Sequence, residues 1–532
     1  MADENLVKMV HKTFDIYGLT ITRKLSAIVA KHLQSRSELD PKDWLTKIVE
    51  QILTQKLSTP RVDIEHLRLA LAECLKPQST LKETETTLNV IDVFTVPKVG
   101  YDIDKKKYIL QNNDYDLFSD ASYKSLVFKD RLDLLWYRTQ KHSLFSTTKF
   151  ERSEEKKSEL VPLDYLLSES KTRNVCVMGL LAQLTEGQYY LEDYGGSVKL
   201  NLKDTKFDSH LIMEGSIVIA RGKYVDGFLH VENMDFPPAE PSENSRTNFN
   251  TANTFGGPHP TSLKFSEKLS AYEKANKNDY LIFVSEVWVD SEIVLNKFKI
   301  LLSGYSENPP IAIVLCGHFS SSLSNVNNLI KLKEGFKKLG AIVTEFPLIQ
   351  QYTMFIFVPG PYDLCAPKIL PRPPLPKYLM EDFLKFVPNT KLATNPCRIQ
   401  YCTKEIVVFR ENMISKLCRN TLSYPKPTFD ENGYSITESV HKAFAKSIIR
   451  QSHLTPLLFS VIPVYWKHDH ALQLYPTPDL VVVADDFKPY ETTYYECKVI
   501  NCGSFVKSNF TFMTYYPSEN GVDECILPED II

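Results

Sequence analysis

Carboxylates and imidazoles follow directly on short apolar runs in the second half of this 532-residue chain. Glu286 comes after LIFVS, His318 after the run Ile311–Cys316 and a glycine, and Asp363 after FIFVPGPY. Such runs are typical of buried strands, and the carboxyl ends of parallel strands meet at the sheet edge where chemistry collects. Oxygen and imidazole groups gathered there could hold divalent metals. The sequence therefore predicts a site at this edge, either in working order or kept only as a frame.

The elements that would position these groups alternate between strands and helices from residue 263 to residue 532. The predicted strands are Tyr280–Val284, Ile311–Cys316, Met354–Val358, Glu405–Phe409 and Leu480–Val483. The predicted helices are Glu292–Leu302, Asn325–Lys338 and Ile436–Arg450. A later stretch, Ser508–Ser518, alternates apolar and polar residues, as an antiparallel strand does. We expect an α/β domain whose last strands form a closing antiparallel layer.

Residues 175–237 carry a different pattern, with short strands separated by turns that contain glycine. Five such strands indicate a barrel of the OB type. OB barrels bind single-stranded nucleic acid by stacking bases on aromatic side chains in a basic groove. The aromatic candidates are Tyr189, Tyr190, Tyr194 and Tyr224. The acidic residues that lie among them are Glu192, Asp193, Asp226 and Glu232. Because phosphate binding needs positive charge, packing against protein is favoured for this barrel.

The chain divides into five predicted parts. Residues 1–76 form a module of short amphipathic helices, which is either a structural cap or a docking module for another protein. Residues 77–160 are a linker together with elements that pack on the last domain, including a helix at Leu126–His142. Residues 161–240 are the OB-type domain, 241–262 are a linker rich in Pro, Asn, Ser, Thr and Gly, and 263–532 are the α/β domain.

The composition is that of an ordinary globular protein, with 43% hydrophobic and 24% charged residues and a net charge of -3. A basic excess, which strong autonomous nucleic-acid binding needs, is missing. No apolar run approaches the roughly 20 residues that span a bilayer, and the start MADENLVKMV is too polar for a signal peptide. The scattered cysteines favour reduced thiols in the cytosol or nucleus.

The strand ends occur in an order that resembles a known enzyme family. The blocks VSEVWVD, LCGHFS, VPGPYD, SHLTPL and PDLVVVADDF are similar to the five signature blocks of calcineurin-type metallophosphoesterases. In that family the blocks read Asp-x-His, Gly-Asp, Gly-Asn-His-Asp/Glu, a lone His and Gly-His-x-His. Their side chains hold two divalent metals that clamp a phosphoryl group and generate a hydroxide nucleophile.

The resemblance places other residue types at almost all of the metal-ligand positions. The ligand positions that differ hold Glu286, Trp288, His318, Pro361, Tyr362, Ala484, Asp485 and Phe487 here, whereas Asp363 and His453 match the family pattern. Trp, Pro and Phe cannot bind a hard cation. We therefore expect no catalytic residue, no metal and no cofactor, and a phosphoesterase-like sandwich kept for its shape; an active metal-dependent phosphoesterase is the alternative.

Longer motifs narrow the resemblance further. FGGP (Phe255–Pro258), ILPRPPLP (Ile369–Pro376), TNPCRIQYCTKEIVVFRE (Thr394–Glu411) and SHLTPL (Ser452–Leu457), together with the helical N-terminal module, resemble the B subunits of eukaryotic replicative DNA polymerases, and among them those of polymerase epsilon. In that family the N-terminal helices are similar to the lid domain of AAA+ ATPases.

The resemblance implies a nuclear, non-catalytic scaffold subunit in chromosomal DNA replication. It implies binding to the zinc-bearing C-terminal region of the polymerase epsilon catalytic subunit, a shared complex with small histone-fold subunits, and a link to the replicative helicase assembly. It implies weak DNA contact at most and no membrane. The alternative to this scaffold, besides the phosphoesterase, is an independent single-stranded-DNA-binding OB protein.

Two further groups of residues are possible metal ligands. Cys397-x4-Cys402 and Cys497-x4-Cys502 have a wider spacing than most zinc pairs, so core cysteines are the favoured interpretation. His468 and His470 alternate with Asp469, but two histidines without a third ligand are usually surface residues. The proline-rich segment Ile369–Pro376 predicts a rigid strap that covers the surface or braces an interface.

Overall fold

The computed structural model forms two compact units, Met1–Thr86 and Thr87–Ile532. It describes residues 4–34, 45–46, 48–49, 52–53, 60–64, 66–68, 70, 87–102, 106–111, 116–145, 159–168, 174–207, 211–249, 251–322, 328–364, 366–423 and 439–528. Within these ranges, no helix combines the length and the apolar composition needed to cross a membrane.

The first unit is helical, as predicted. Helices α1 (Glu4–Ile16) and α2 (Arg23–Gln34) pack their apolar faces together, and Val10, Phe14 and Val29 are fully buried. The same core includes Leu45, Ile48, Ile52 and Leu67. The predicted third and fourth helices lie only partly within the described residues.

The second unit begins with elements that pack on its two larger parts. They are β1 (Leu88–Ile91), β2 (Lys98–Asp102), β3 (Lys107–Gln111), α3 (Ser122–Lys141), β4 (Leu160–Val161) and α4 (Leu163–Ser168). Strand β1 adds an antiparallel edge to a sheet of the α/β part, and β4 pairs with the barrel. The predicted helix Leu126–His142 is present as α3, with Leu132 and Leu135 buried and Trp136 half-buried. Part of the predicted linker is therefore built into the domains beside it.

The described residues between 174 and 235 form a closed barrel. Its strands are β5 (Asn174–Thr185), β6 (Gln188–Glu192), β7 (Ser197–Asn201), β8 (Lys206–Phe207), β10 (Ile217–Val225) and β11 (Phe228–Asp235). The short strand β9 (Ile212–Met213) pairs instead with Thr421–Ser423. The order is β5-β6-β7-β11-β10, and β10 returns to pair with β5. Neighbours run antiparallel except β7 and β11, which are parallel. This closure confirms the predicted OB-type barrel.

The α/β part is a sandwich of two sheets. The elements are α5 (Ser242–Thr247), α6 (Glu267–Ala275), β12 (Leu281–Ser285), α7 (Glu292–Gly304), β13 (Ala312–Cys316), α8 (Asn328–Thr344), α9 (Pro347–Tyr352), β14 (Met354–Val358), α10 (Lys377–Phe386), β15 (Thr390–Leu392), β16 (Cys397–Tyr401), β17 (Lys404–Phe409), α11 (Met413–Asn420), β18 (Thr421–Ser423), α12 (Val440–Arg450), β19 (Leu480–Val483), β20 (Tyr490–Tyr494), β21 (Cys497–Asn501), β22 (Thr511–Tyr516) and β23 (Gly521–Ile526). Among the described strands, the first sheet has the order β15-β14-β13-β12-β22-β23 and the second β1-β16-β17-β19-β21-β20.

Strands β12 to β14 run parallel, as the wholly apolar runs predict, and the short strand β15 extends this parallel set. Strands β22 and β23 close the first sheet antiparallel. One apolar core lies between the two sheets, and helices α7, α8 and α10 cover the outer face of the first sheet with a second core. The predicted strands and the helix Glu292–Leu302 are confirmed to within three residues. The predicted helix Asn325–Lys338 extends to Thr344 as α8, and its first three residues, like the first three of Ile436–Arg450, lie outside the described residues.

The barrel and the second sheet share one continuous apolar core. Val177 and Leu229 from the barrel, Val407 and Val481 from the second sheet and Ile448 from α12 all belong to it and are buried. The predicted boundaries at residues 160, 240 and 262 fall inside this single compact unit and remain predictions.

Two segments that were expected at the surface carry buried side chains. The predicted linker 241–262 contains helix α5, and the proline-rich strap Ile369–Pro376 buries Leu370 and Arg372. Each segment supplies an arginine to an ion pair with a residue at or just after strand β17. The pairs are Arg246–Glu405 at 2.6 Å and Arg372–Glu411 at 2.5 Å. A buried arginine is tolerated at these places because a carboxylate compensates its charge.

Candidate functional site at the strand ends

The predicted strand ends meet at one edge of the sandwich. Strands β12, β13 and β14 pair in parallel and in register, so Glu286, His318 and Asp363 follow strands that end side by side. His318 Nδ1 lies 3.2 Å from Glu286 Oε1, and Asp363 Oδ1 accepts a hydrogen bond from the N–H of Phe319 at 2.8 Å. The predicted edge site is therefore present as a polar cluster, which also includes two residues from the second sheet.

Arg410 belongs to this cluster but was not among the residues predicted for it. It directly follows β17, and its guanidinium is fully buried at the centre of the cluster. Its Nη2 donates to Glu286 Oε1 at 2.8 Å and its Nη1 to the carbonyl of Ala484 at 2.6 Å, while Nε donates to the carbonyl of Gly317. One cation thus joins the ends of β12, β13, β17 and β19, which belong to both sheets. We call Glu286, His318, Asp363, Arg410 and Asp485 the strand-end cluster.

Glu286 is the principal anion of the strand-end cluster. Its backbone has a φ of +63°, which is uncommon outside glycine. Besides Arg410, it accepts a hydrogen bond from the Ser504 hydroxyl at 2.5 Å, and Lys507 Nζ lies 3.7 Å away. Burial by itself would raise the pKa of Glu286, but the hydrogen bond from His318 and the charge of Arg410 hold that pKa at about 2. The carboxylate is therefore ionised at neutral pH.

Asp363 uses both of its oxygens on backbone donors. Oδ1 accepts from Phe319, and Oδ2 accepts from the N–H of Gly360 at 2.7 Å. A Cβ at position 317 would lie 1.7 Å from Asp363 Oδ2, so the glycine in LCGHFS is required for this approach. Burial raises the pKa of Asp363, against the backbone donors and the nearby His318. This carboxylate holds the loops after β13 and β14 together.

Asp485 lies at the start of helix α11. Its Oδ2 accepts from the N–H groups of Met413 at 2.6 Å and Ile414 at 2.9 Å. These are first-turn donors that have no partner inside the helix. Burial raises the pKa of Asp485 to about 6, although the two N–H groups and Arg410 act in the opposite direction. Asp485, which follows β19, therefore caps the N-terminus of α11.

The remaining predicted positions have different surroundings. Pro361 is buried, and Trp288 and Phe487 are half-buried against apolar cores. The Tyr362 side chain is 46% exposed, and its ring centroid lies 4.9 Å from that of His318. Tyr362 therefore borders the cluster at the surface.

His453 makes its contacts with a different set of residues. Its Nδ1 accepts from the N–H of Thr455 at 3.0 Å, and its Nε2 lies 3.3 Å from Asp469 Oδ2. Asp469 also receives two hydrogen bonds from Arg131 of α3, at 2.5 and 2.9 Å. Burial and the charge of Arg131 lower the pKa of His453. The lone histidine of the block pattern thus takes part in the attachment of α3 to the sandwich.

The other metal-ligand candidates lie in the core. His468 and His470 are buried, which corrects the expectation of surface histidines. His470 Nε2 lies 3.1 Å from the carbonyl of Val96, and the rings of His468 and Phe94 meet edge to face. The four cysteines of the two x4 pairs are buried free thiols. In the described parts of the chain, no three His, Cys, Asp or Glu side chains are placed to hold a metal ion.

Three of the four aromatic candidates in the barrel, Tyr189, Tyr194 and Tyr224, contact other parts of the protein. Tyr189 and Tyr224 pack against the shared core. The Tyr194 hydroxyl lies 2.5 Å from Asp133 Oδ1 and 3.1 Å from the carbonyl of Lys129, so this side chain is engaged with α3. These contacts favour protein packing over base stacking.

The signal for Arg410 was present in the sequence. Arg410 stands directly after the apolar run of Glu405–Phe409, in the same relation to its strand as Glu286 has to β12. The rule that selected the carboxylates selects a basic residue equally well. In this arrangement the guanidinium of Arg410 and the carboxylate of Glu286 neutralise each other's charge.

Matches to known protein families extend over most of the chain. The family model for the B subunits of DNA polymerases alpha and epsilon matches residues 281–492, that of the DNA polymerase epsilon subunit 2-like OB-fold domain matches 121–238, and that of the DNA polymerases epsilon N terminal matches 2–74. The match to a solved archaeal phosphodiesterase, which is 11% identical, covers 47% of this chain and 99% of that protein with a TM-score of 0.26.

Three curated relatives show the extent of the similarity. Human DNA polymerase epsilon subunit 2 is 39% identical over 532 residues, which cover 98% of this chain and 99% of the relative. The Drosophila melanogaster protein of the same name is 37% identical, covering 99% and 98%. The probable DNA polymerase epsilon subunit 2 of Caenorhabditis elegans is 32% identical, covering 99% and 96%. The chain therefore belongs to the DNA polymerase epsilon subunit 2 family, the accessory subunits of a replicative DNA polymerase.

Proposed function

We propose that this subunit is a non-catalytic scaffold that binds the C-terminal region of the polymerase epsilon catalytic subunit and links it to the replicative helicase assembly in the nucleus. The observation that carries the non-catalytic part is the buried guanidinium of Arg410, 2.8 Å from Glu286. The family resemblance supports the partners, including the small histone-fold subunits. The net charge of -3 agrees with a protein that binds other proteins more than free DNA.

The carboxylates of the strand-end cluster are committed to protein groups. Glu286 is bound by Arg410 and Ser504, Asp363 by two backbone N–H groups, and Asp485 by two more. A divalent ion beside Glu286 would meet the charge of Arg410, which has no exposed surface and cannot lose its proton. Residual phosphoesterase chemistry is therefore disfavoured by electrostatics as well as by ligand type.

An activity assay tests the non-catalytic part. The full chain is incubated with manganese and a chromogenic phosphodiester, beside the variants Glu286→Gln and His453→Ala. We expect no turnover above the background without protein for any of the three. Manganese-dependent turnover of the natural sequence that either substitution abolishes would overturn the proposal.

A co-purification experiment tests the scaffold part. The tagged chain is isolated from dividing cells, and the retained proteins are quantified by mass spectrometry. We expect the polymerase epsilon catalytic chain and the histone-fold subunits in near-equal amounts, and helicase components in smaller amounts. Retention of helicase components without the catalytic chain, or a tagged chain that stays outside the nucleus, contradicts the scheme.

A further inference from the structure

Helix α3 leaves part of the barrel surface uncovered. Leu132, Leu134 and Leu135 of α3 pack on Cys176 and Met178 of β5 in one buried cluster. Two residues further along the same face of β5, Leu180 is half-buried at the edge of this cluster. The cover of α3 therefore ends near Leu180.

An apolar cleft of about 320 Å³ lies at this place. We call it the α3 cleft. It is lined by Leu126, Phe128, Leu132, Leu180 and Tyr194, together with the polar residues Ser125, Lys129, Glu192 and Asp193. Leu126 is 43% exposed and Tyr194 is 56% exposed. Large apolar and aromatic side chains that stay open to water in a concave site are typical of protein docking surfaces.

Glu192 is one of two half-buried carboxylates that line the cleft, the other being Asp193. Glu192 lies opposite Leu180 in the β5–β6 pairing. Among the described residues, no side chain forms an ion pair or a hydrogen bond with its carboxylate. Lys129, the cation that lines the cleft, instead has its Nζ 5.4 Å from the centre of the Tyr194 ring. Burial raises the pKa of Glu192, in agreement with a carboxylate that has no cation beside it.

We infer that the α3 cleft is a docking site for a segment of the polymerase epsilon catalytic subunit that presents apolar side chains together with one lysine or arginine. The apolar side chains would fill the space between Leu126 and Leu180, and the basic group would meet Glu192. A nucleic acid fits less well, because the neighbouring carboxylates Glu192 and Asp193 repel phosphate. The identity of the partner rests on the proposed function, whereas the cleft and its charge rest on the contacts above.

The test uses the full chain co-expressed with the catalytic subunit. Leu126→Asp places a charge on the apolar wall, and Glu192→Lys reverses the charge of the cleft. We expect each to lower the retained catalytic chain about tenfold, as central interface residues do. The matched control is Ile330→Asp on α8, an apolar side chain that is 75% exposed outside the cleft, and we expect it to change retention less than twofold, as a residue outside the interface does.

The outcomes separate the two proposals. If the natural sequence retains no catalytic chain, the proposed function fails and the docking assignment fails with it. If the natural sequence retains it and both cleft variants do so equally well, the docking assignment alone is wrong. Equal losses in Ile330→Asp, or losses of a helicase or histone-fold protein instead, also overturn it. Because Leu126→Asp could act through unfolding, the isosteric Glu192→Gln is compared as well; it should weaken the salt dependence of retention without changing the melting temperature.

Discussion

Removing the positive charge of Arg410 should destabilise the second unit strongly. Arg410→Met keeps most of the side-chain volume and leaves Glu286, 3% exposed, without its closest cation. It also deletes the hydrogen bonds to the carbonyls of Gly317 and Ala484. Removing one partner of a buried ion pair costs about 3–5 kcal/mol. We expect a loss of that size in the free energy of unfolding.

The assay is urea unfolding of the full chain, followed by tryptophan fluorescence at several pH values. In the natural sequence the pKa of Glu286, about 2, lies below its unfolded value of about 4.3, so its contribution to stability is complete above roughly pH 5 and is lost as the pH falls toward 2. Without the charge of Arg410, the pKa of Glu286 should rise toward its unfolded value, because burial is then opposed mainly by the hydrogen bonds from His318 and Ser504. The loss of stability that this group causes as the pH falls from about 5 to 2 should therefore be smaller in the variant than in the natural sequence.

Two further variants complete the experiment. The double variant Glu286→Gln/Arg410→Met removes both charges and should recover part of the loss, because the pair is coupled. Lys331→Met removes an exposed lysine on α8 and should change the free energy of unfolding by less than about 0.5 kcal/mol. A cost for Arg410→Met below about 1 kcal/mol, or no recovery in the double variant, would refute the electrostatic account.

The remaining predictions concern other buried groups. Arg131→Met leaves Asp469 buried without its bidentate partner and should cost about 3–5 kcal/mol in the free energy of unfolding, measured with urea, with partial recovery on adding Asp469→Asn. The pKa of Asp485 is raised to about 6, so its contribution should be lost as the pH rises from about 4 to 7, by about 2–3 kcal/mol, and Asp485→Asn should flatten that slope of the urea midpoint. Alkylation of the native chain should label the half-buried Cys418 and Cys525 before the other described cysteines, which are buried. Peptide mass spectrometry measures the order of labelling, and early labelling of a buried cysteine would contradict its burial.

The strand ends were predictable because their cause is local. A wholly apolar run such as Ile311–Cys316 must be covered on both faces, which places it in the middle of a parallel sheet. The structure confirms this, since β13 lies between β12 and β14 with every residue buried. The polar residue after such a run then has one edge of the sheet as its position.

The partners of those residues were not predictable in the same way. Arg410 and Glu286 are separated by 124 positions in sequence, and their contact depends on how the two sheets stack. The same holds for His453, whose block position suggested the strand-end cluster. Its neighbour Asp469 is instead bound by Arg131, which lies 338 positions away from Asp469, near the start of the second unit's sequence. Hydrophobic periodicity predicts a strand or a helix. It carries no information about which distant residue will neutralise a charged side chain at the end of that element.

The core shared by the barrel and the second sheet has a consequence for the history of this subunit. Val177 and Leu229 of the barrel and Val407 of the sheet are shielded from water by the same packing, so the barrel cannot be exchanged as a cassette or expressed alone without exposing that surface. Substitutions on either side of this core must be compatible with both folds. The barrel and the sandwich therefore have to change together at this core, although their strand patterns are those of two different domains.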